Sequence, residues 1–376
     1  MLDIEKLSYW ELKSYFRDID FLIIGAGIVG YSAALHLRKS YPKSKILVIE
    51  RGYLPSGASS KNAGFACFGS ATELTEDLSK FNESTVWETV SMRWEGLKYL
   101  RSLIGDQSLK LQLKGSWDLI TTNDIELKNI TESKLDYLNK RLKNITGENN
   151  VYSIDNHTQE KFGFAGIHSS FRNRLEGQID TASMNRAFYK KSFEQDIMTL
   201  FGIEAIDING NTVLSNLGEI KAKSIAICTN GFAQQFLPEK DIFPARAQVL
   251  ITKPLDQVPF EGTFHYQMGY YYFRNIDHRV LFGGGRNLDF EGEKTTNFET
   301  THLIQEKLEL LLREVILPST SFEIEHRWTG VMGVGETKKP IIEHIQDNTF
   351  CGVRLGGMGI AIGTLVGKKL AEIISA

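Results

Sequence analysis

Asp20-Phe21-Leu22-Ile23-Ile24-Gly25-Ala26-Gly27-Ile28-Val29-Gly30 is the stretch whose reading decides the fold. Residues 21–24 form a short apolar run, the composition of a buried parallel strand. Three glycines follow with GxGxxG spacing. Residues 31–40 then read as a helix, with Ala34, Leu35 and Leu37 available for packing and Tyr41-Pro42 to stop it. Residues 46–49 form a second apolar strand that ends on Glu50, 20 positions after Gly30. Strand, glycine turn, helix, strand and a distant acid make one βαβ unit. Gly25 permits a tight turn, Gly27 lets backbone approach a pyrophosphate, and Gly30 lets the helix pack closely on the sheet. Ala26, Ile28 and Val29 lie between them, at the start of a helix whose free N–H groups and dipole favour phosphate. Glu50 is placed to accept hydrogen bonds from a ribose.

The rest of the chain narrows the class. At 376 residues it is long enough for two domains or one large one. A content of 42% hydrophobic and 24% charged residues supports a packed core and excludes disorder and fibres. With 43 Lys and Arg against 46 Asp and Glu, no global positive field exists to attract nucleic acid. Cys67, Cys228 and Cys351 are odd in number and far apart. They make neither a disulfide framework nor a zinc motif, and read as buried small hydrophobes in a reducing, cytoplasmic setting. The eight histidines show no metal spacing, so no metal site is expected. Residues 1–20 lack the apolar core of a signal peptide, and no run approaches the ~18 apolar residues of a membrane span.

Beyond Glu50 and Arg51 the second strand runs into Ser56-Gly57-Ala58-Ser59-Ser60-Lys61-Asn62-Ala63-Gly64. This loop of small, polar residues suits close approach to an extended cofactor, and a mobile surface loop has the same composition. Helices are predicted over 83–103, 124–143, 180–194 and 300–314. Strands are predicted over 109–121, 203–208, 212–215, 220–221, 225–229, 244–252, 269–274 and 279–283. The 33 glycines concentrate again near the end, where a strand over 349–354 meets Gly356-Gly357-Met358-Gly359-Ile360 and a helix to about 374. Two strand–glycine–helix units at opposite ends of one chain imply one cofactor site built from both.

These segments resemble the FAD-dependent amine and D-amino-acid oxidase family. Residues 20–30 and Glu50-Arg51-Gly52 look like its N-terminal flavin motif. Residues 57–64 are similar to its GASxxNxG loop, and Gly356-Gly357-Met358-Gly359-Ile360 to the end of its flavin site. Phe282-Gly283-Gly284-Gly285-Arg286 and Arg327-Trp328-Thr329-Gly330 look like further landmarks. Ser8-Tyr9-Trp10-Glu11 and Tyr272-Phe273-Arg274 are similar to the gamma-glutamylputrescine oxidoreductase-like branch. Two departures stand out. Gly357-Met358-Gly359-Ile360 lacks the arginine that amino-acid oxidases of the family often carry there, and Met332 stands where many relatives have Arg.

The resemblance implies an α/β fold of two domains. One is a Rossmann-like FAD-binding domain with a central parallel sheet, over residues 1–80, 150–240 and 325–376. The other is a substrate domain with a mixed or antiparallel sheet, over 81–149 and 241–324. It implies FAD, noncovalent because Cys351 is not clearly an attachment position and no His sits in the last turn. The cofactor set is Gly25, Ala26, Gly27, Ile28, Val29, Gly30, Glu50, Arg51, Ala58, Ser59, Asn62, Ala63, Gly64, Ile203, Thr229, Asn230, Gly231, Gly356, Gly357, Met358, Gly359 and Ile360. The implied reaction oxidises the C–N bond of a small amine or amino acid by hydride transfer to flavin N5, giving an imine that hydrolyses. Oxygen or another acceptor takes the electrons. The N–H groups of Gly357, Met358 and Gly359 face the charge that develops on the ring. Tyr272, Arg274 and Trp328 are the substrate-side candidates. Strand alternation puts Tyr270 and Tyr272 on one face and Tyr271 and Phe273 on the other. An FAD-binding subunit or assembly protein without turnover is the alternative.

Overall fold

Two eight-stranded sheets carry the chain. The structure, a computed structural model, describes residues 4–376. In its first half the strands are β1 (Ile19–Ile24), β2 (Ile46–Glu50), β3 (Phe65–Ala66), β4 (Ser116–Thr121), β5 (Tyr152–Asp155), β6 (Ile167–Asn173) and β7 (Gly177–Gln178). Then come β8 (Met198–Phe201), β9 (Ala205–Asn209), β10 (Thr212–Ser215), β11 (Gly218–Ile227) and β12 (Phe243–Thr252). The last are β13 (Thr263–Tyr266), β14 (Tyr271–Ile276), β15 (Arg279–Gly284), β16 (Ile324–Val334), β17 (Ile341–Gln346) and β18 (Thr349–Val353).

The first sheet runs β17-β18-β11-β1-β2-β8, with β10 and β9 extending from β11. β1 pairs in parallel with β11 on one side and β2 on the other, and β11 pairs in parallel with β18. Every residue of β2 is buried, as the aliphatic run Ile46-Leu47-Val48-Ile49 requires of a strand covered on both faces. The helix Ile28–Ser40 covers this sheet, and the last helix, Gly359–Ile374, lies across it. Glycine sets the approach: a Cβ on Gly367 would stand 2.5 Å from the Val29 carbonyl oxygen. A third helix, Glu83–Ile104, packs on the far side. Thr364 ties the stack together, its hydroxyl donating to Gly96 O at 2.8 Å while its carbonyl accepts from Ser32 Oγ at 2.7 Å.

The second sheet runs β16-β12-β15-β14-β13-β4-β6-β5 and is antiparallel except for the β13–β4 pair. One face is aromatic. Trp117, Phe164, Phe260, Phe264, Phe273 and Phe282 share a core in which Phe264 and Phe273 stack at 4.9 Å. β3 and β7 form a separate two-stranded ladder between the sheets' segments.

Several elements depart from the sequence expectation. The strand over 109–121 is only Ser116–Thr121, because Leu109 closes a helical turn and Lys110 caps it at φ 49. The strands over 220–221 and 225–229 are one, β11. The helix over 124–143 is two, Ile125–Ser133 and Leu135–Thr146, broken at Lys134. Strand pairing also cuts across the expected domain boundaries. β5, β6 and β16 belong to the second sheet, whereas the sequence reading groups 150–240 and 325–376 with the first.

Candidate functional site

β1, β11 and β18 are parallel neighbours, so their C-terminal ends open on one edge of the first sheet. That edge is where open α/β sheets bind ligands. Gly25 leaves β1 with φ 109, and its N–H donates to Ile49 O at 2.8 Å. A Cβ there would lie 2.8 Å from Cys228 O, and one on Gly30 would collide with the Gly25 carbonyl. A Cβ on Gly27 would lie 2.9 Å from Ser59 Oγ. That hydroxyl accepts the Ile28 N–H at 3.0 Å. Val29 and Gly30, in the first helical turn, have no intrahelical acceptor for their N–H groups.

Glu50 is 7% exposed. Its carboxylate is held by its own surroundings: Ala26 N–H at 3.2 Å on one oxygen, Gly52 N–H at 3.1 Å and Ser56 Oγ at 2.9 Å on the other. With roughly four lone-pair sites on a carboxylate, little capacity is left for a ribose. Ile203 N–H donates to Glu50 O at 3.0 Å. The Arg51 guanidinium lies 3.7 Å from the Phe232 ring centroid, engaged with the protein itself. Beyond β11, Thr229 Oγ1 is buried with no hydrogen-bond partner. Asn230 Oδ1 accepts Leu355 N–H at 3.2 Å, and a Cβ on Gly231 would lie 2.5 Å from Met332 O.

The second glycine turn follows β18. Here the glycines face space: a Cβ on Gly356 meets nothing within 4 Å, and one on Gly357 meets only Met332 Sδ, at 3.8 Å. Of the three amides expected to point outward, Met358 N–H instead donates to Leu355 O at 3.3 Å. Gly359, Ile360 and Ala361 begin the last helix and have no intrahelical acceptor. A crowded glycine turn, a buried acid, an orphaned Thr229 hydroxyl and an open helix start on one sheet edge fit an extended dinucleotide.

The loop after β2 connects this edge to the second sheet. It winds a short helix, Ala58–Lys61. Asn62 pins the loop: Oδ1 accepts Gly64 N–H at 2.9 Å and the Thr181 hydroxyl at 2.8 Å, while Nδ2 donates to Ala58 O and Ser59 O. Trp328 Nε1 donates to Lys61 O at 2.9 Å. Ala63, Phe65, Tyr272 and Trp328 then pack in one cluster with Val249 and Leu281. Tyr272 lies over Gly283, where a Cβ would come within 2.7 Å of the ring, and burial pushes its phenol up to about 12. The alternation of β14 is as expected for its strand residues: Tyr271 and Phe273 join the aromatic core, and Tyr272 faces this cluster.

Arg274 sits on the same strand and is 3% exposed. It makes no hydrogen bond or ion pair among the described residues, and its Nε is buried without a partner. Gly64 leaves it room, since a Cβ there would lie 2.7 Å from Nη2. Burial pulls the guanidinium from 12.5 down to about 10, which still leaves it charged at neutral pH. A buried, unpaired cation is costly unless an anion completes it.

Two buried groups and a half-buried histidine near this cluster escape sequence reasoning. Cys67, Glu176 and His265 come together from distant segments. Burial lifts Glu176 to about 7 and lowers His265 to about 4. Asp118, beside them on β4, is raised by burial to about 6. Around Glu73, burial is opposed by Lys338 and Arg93, which hold its carboxyl well below the usual range. None of these has a sequence motif; only the folded strand register brings them together.

Known proteins place this arrangement. At 22% identity the chain is similar to the gamma-glutamylputrescine oxidoreductase of Escherichia coli, over 94% of this chain and 83% of that one. The glycine oxidase of Geobacillus kaustophilus superposes with a TM-score of 0.76 at 16% identity, covering 95% of this chain and 94% of that one. The L-proline dehydrogenase of P. horikoshii gives 0.73 at 18% identity, covering 95% and 93%. The sequence model of the family described as DAO, FAD dependent oxidoreductase, matches residues 20–373. The chain belongs to this family and is an FAD-dependent oxidoreductase.

Proposed function

We propose that the protein oxidises the C–N bond of a small amine that carries a carboxylate, an amino acid or an N-substituted amino acid. Arg274 carries this reading: it is a buried guanidinium without a partner, at the junction of the Gly64 loop and the second sheet. A substrate carboxylate completes it with charge-assisted, bidentate hydrogen bonds. Residues 357–360 lack the arginine that amino-acid oxidases of the family often carry there, Arg354 just before them is paired with Asp241, and Arg274 takes the task from β14. Tyr272, Phe65 and Trp328 form an apolar wall that keeps water from the reacting carbon. The amine binds unprotonated, its Cα–H departs as hydride, and the resulting imine is hydrolysed by water.

Bound FAD supplies the two-electron acceptor. The chain's own part is to hold and orient. The crowded turn at Gly25–Gly30 and the helix behind it receive the pyrophosphate. The N–H groups of Gly359, Ile360 and Ala361 favour negative charge at the mouth of the last helix. Attachment is noncovalent in this reading, because Cys351 is fully buried in β18 and no His stands in residues 356–363. The first sheet with its helices forms the FAD-binding part, and the second sheet the substrate part. Oxygen or another acceptor reoxidises the flavin.

The test is anaerobic reduction of the yellow protein by a panel of D- and L-amino acids, N-alkyl amino acids and carboxylate-free amines. Bleaching by carboxylate-bearing amines, weakened in Arg274→Met, supports the reading. Bleaching only by amines without a carboxylate removes the role of Arg274. No bleaching by any amine points to an FAD-binding subunit without turnover.

A further inference from the structure

We propose that Cys67, Glu176 and His265 form a binding site for one divalent zinc-type ion, behind the wall of the substrate chamber. One ligand atom from each lies within 4.8 Å of the others. Cys67 is 2% exposed and Glu176 fully buried. Two polar atoms in the cluster are buried with nothing to bond: Glu176 Oε2 and His265 Nε2. Cys67 Sγ makes long contacts to Thr263 Oγ1 at 3.6 Å and Gly177 O at 3.8 Å, and lies beside the Glu176 carboxyl. Buried polar atoms without a partner are costly, and most such atoms in proteins have one.

The supports are rigid. Cys67 follows β3 and Glu176 precedes β7, and these strands pair as a ladder. His265 is fixed in β13 by register with Asp118 and Tyr272. The second Glu176 oxygen is held by the N–H groups of Phe68 at 2.6 Å and Gly69 at 3.0 Å, which turns Oε2 toward the cluster. Such an outer hydrogen-bond layer around a ligating carboxylate is typical of metal sites.

The donor chemistry selects the ion. One sulfur, one imidazole nitrogen and one carboxylate oxygen suit zinc, and would leave a fourth position for water. Tetrahedral bonds of about 2.0–2.3 Å put ligand atoms roughly 3.3–3.8 Å apart, so at most about 1.5 Å per pair remains to close. The thiolate and carboxylate neutralise the ion's two charges. The thiol and carboxyl protons are released to solvent as the metal binds. No redox change is involved. The ion would brace the chamber wall, since the Phe65 ring touches both His265, at 5.4 Å, and Tyr272, at 5.6 Å.

The experiment uses the flavin-loaded full chain, stripped with chelator and then titrated with zinc chloride against a chromophoric competitor. The expected result is one zinc per chain with sub-micromolar affinity. X-ray absorption at the zinc edge should show one sulfur near 2.3 Å and the remaining ligands near 2.0–2.1 Å. Cys67→Ser and His265→Ala should each cut zinc content at least tenfold while the flavin spectrum persists. Binding no tighter than about 100 µM, a zinc shell without sulfur, or stoichiometry unchanged in both variants would overturn the proposal. Should a variant not fold, the wild-type affinity and absorption spectrum decide alone. None of these readouts depends on amine oxidation.

Discussion

The two glycine turns look alike as sequence and are opposites as structure. In the first, Gly25 and Gly30 are crowded by protein: added Cβ atoms would meet Cys228 O and the Gly25 carbonyl. In the second, Gly356 and Gly357 border nothing closer than 3.8 Å. The first turn needs glycine so that the protein can pack on itself. The second has glycine where the protein stops packing. Arg274 belongs with the second kind of region: buried, charged and incomplete. A glycine motif therefore reports either internal crowding or room for something else, and only the surrounding atoms say which.

Substitutions can break or sharpen this contrast. The largest effect is expected for Gly30→Val. The clash is with backbone, which has nowhere to move, so a loss above about 4 kcal/mol is expected and the protein should be insoluble or colourless. A soluble, yellow Gly30→Val protein with an unchanged melting temperature would show that the first turn is not crowded. Next comes Arg274→Met. Losing a buried charge partner costs about 2–5 kcal/mol, so kcat/KM for a carboxylate-bearing amine should fall on the order of 10²–10³-fold. A comparable fall for amines without a carboxylate would assign Arg274 to the fold instead.

Asp118 tests a packed region that holds a costly charge. One of its oxygens accepts from Thr72 N at 2.9 Å and Thr72 Oγ1 at 2.6 Å; the other has no partner. Burial raises its pKa from 3.8 to about 6. The folded state then holds this proton more tightly than the unfolded one. Its stabilising contribution is full below about pH 4 and is lost as pH rises through 6. The loss is on the order of 2–3 kcal/mol. Asp118→Asn should therefore gain on the wild type between pH 4 and pH 8 in denaturant titrations; a constant difference at both pH values would refute the assignment. The smallest stability effect is expected for Gly357→Ala. Flavin-free protein should change by less than about 0.5 kcal/mol, while FAD affinity falls. A drop above about 2 kcal/mol without flavin would mean that the second turn is packed after all.

Much of this was legible in the chain. The first βαβ unit, the central parallel sheet and the convergence of both ends follow from local patterns: apolar runs, glycine spacing and an acid at the right distance. The alternation of Tyr271, Tyr272 and Phe273 is likewise a local property of a strand. What could not be read depends on register between distant segments. β5 and β6 joined the second sheet because β4 pairs with β6, a contact that composition does not encode. Glu50 turned out to be held by Ala26, Gly52 and Ser56, since free backbone donors nearby compete for any carboxylate. Cys67, Glu176 and His265 lie about a hundred residues apart in turn, so no spacing rule finds them. The same holds for Lys338, which reaches back to Glu73 and Asp77.

The first sheet places β18, near the end of the chain, beside β11 and one strand from β1. Synthesis proceeds from the other direction. While the ribosome is still translating residues 349–374, the early glycine turn has already emerged but lacks the strand and helix that close its edge. The nascent chain must keep the apolar faces of Ile28–Ser40 and Glu83–Ile104 out of trouble until the last helix arrives to cover both. Completion of the flavin-binding edge thus waits for residues 349–374, and truncations that remove them should leave a colourless chain.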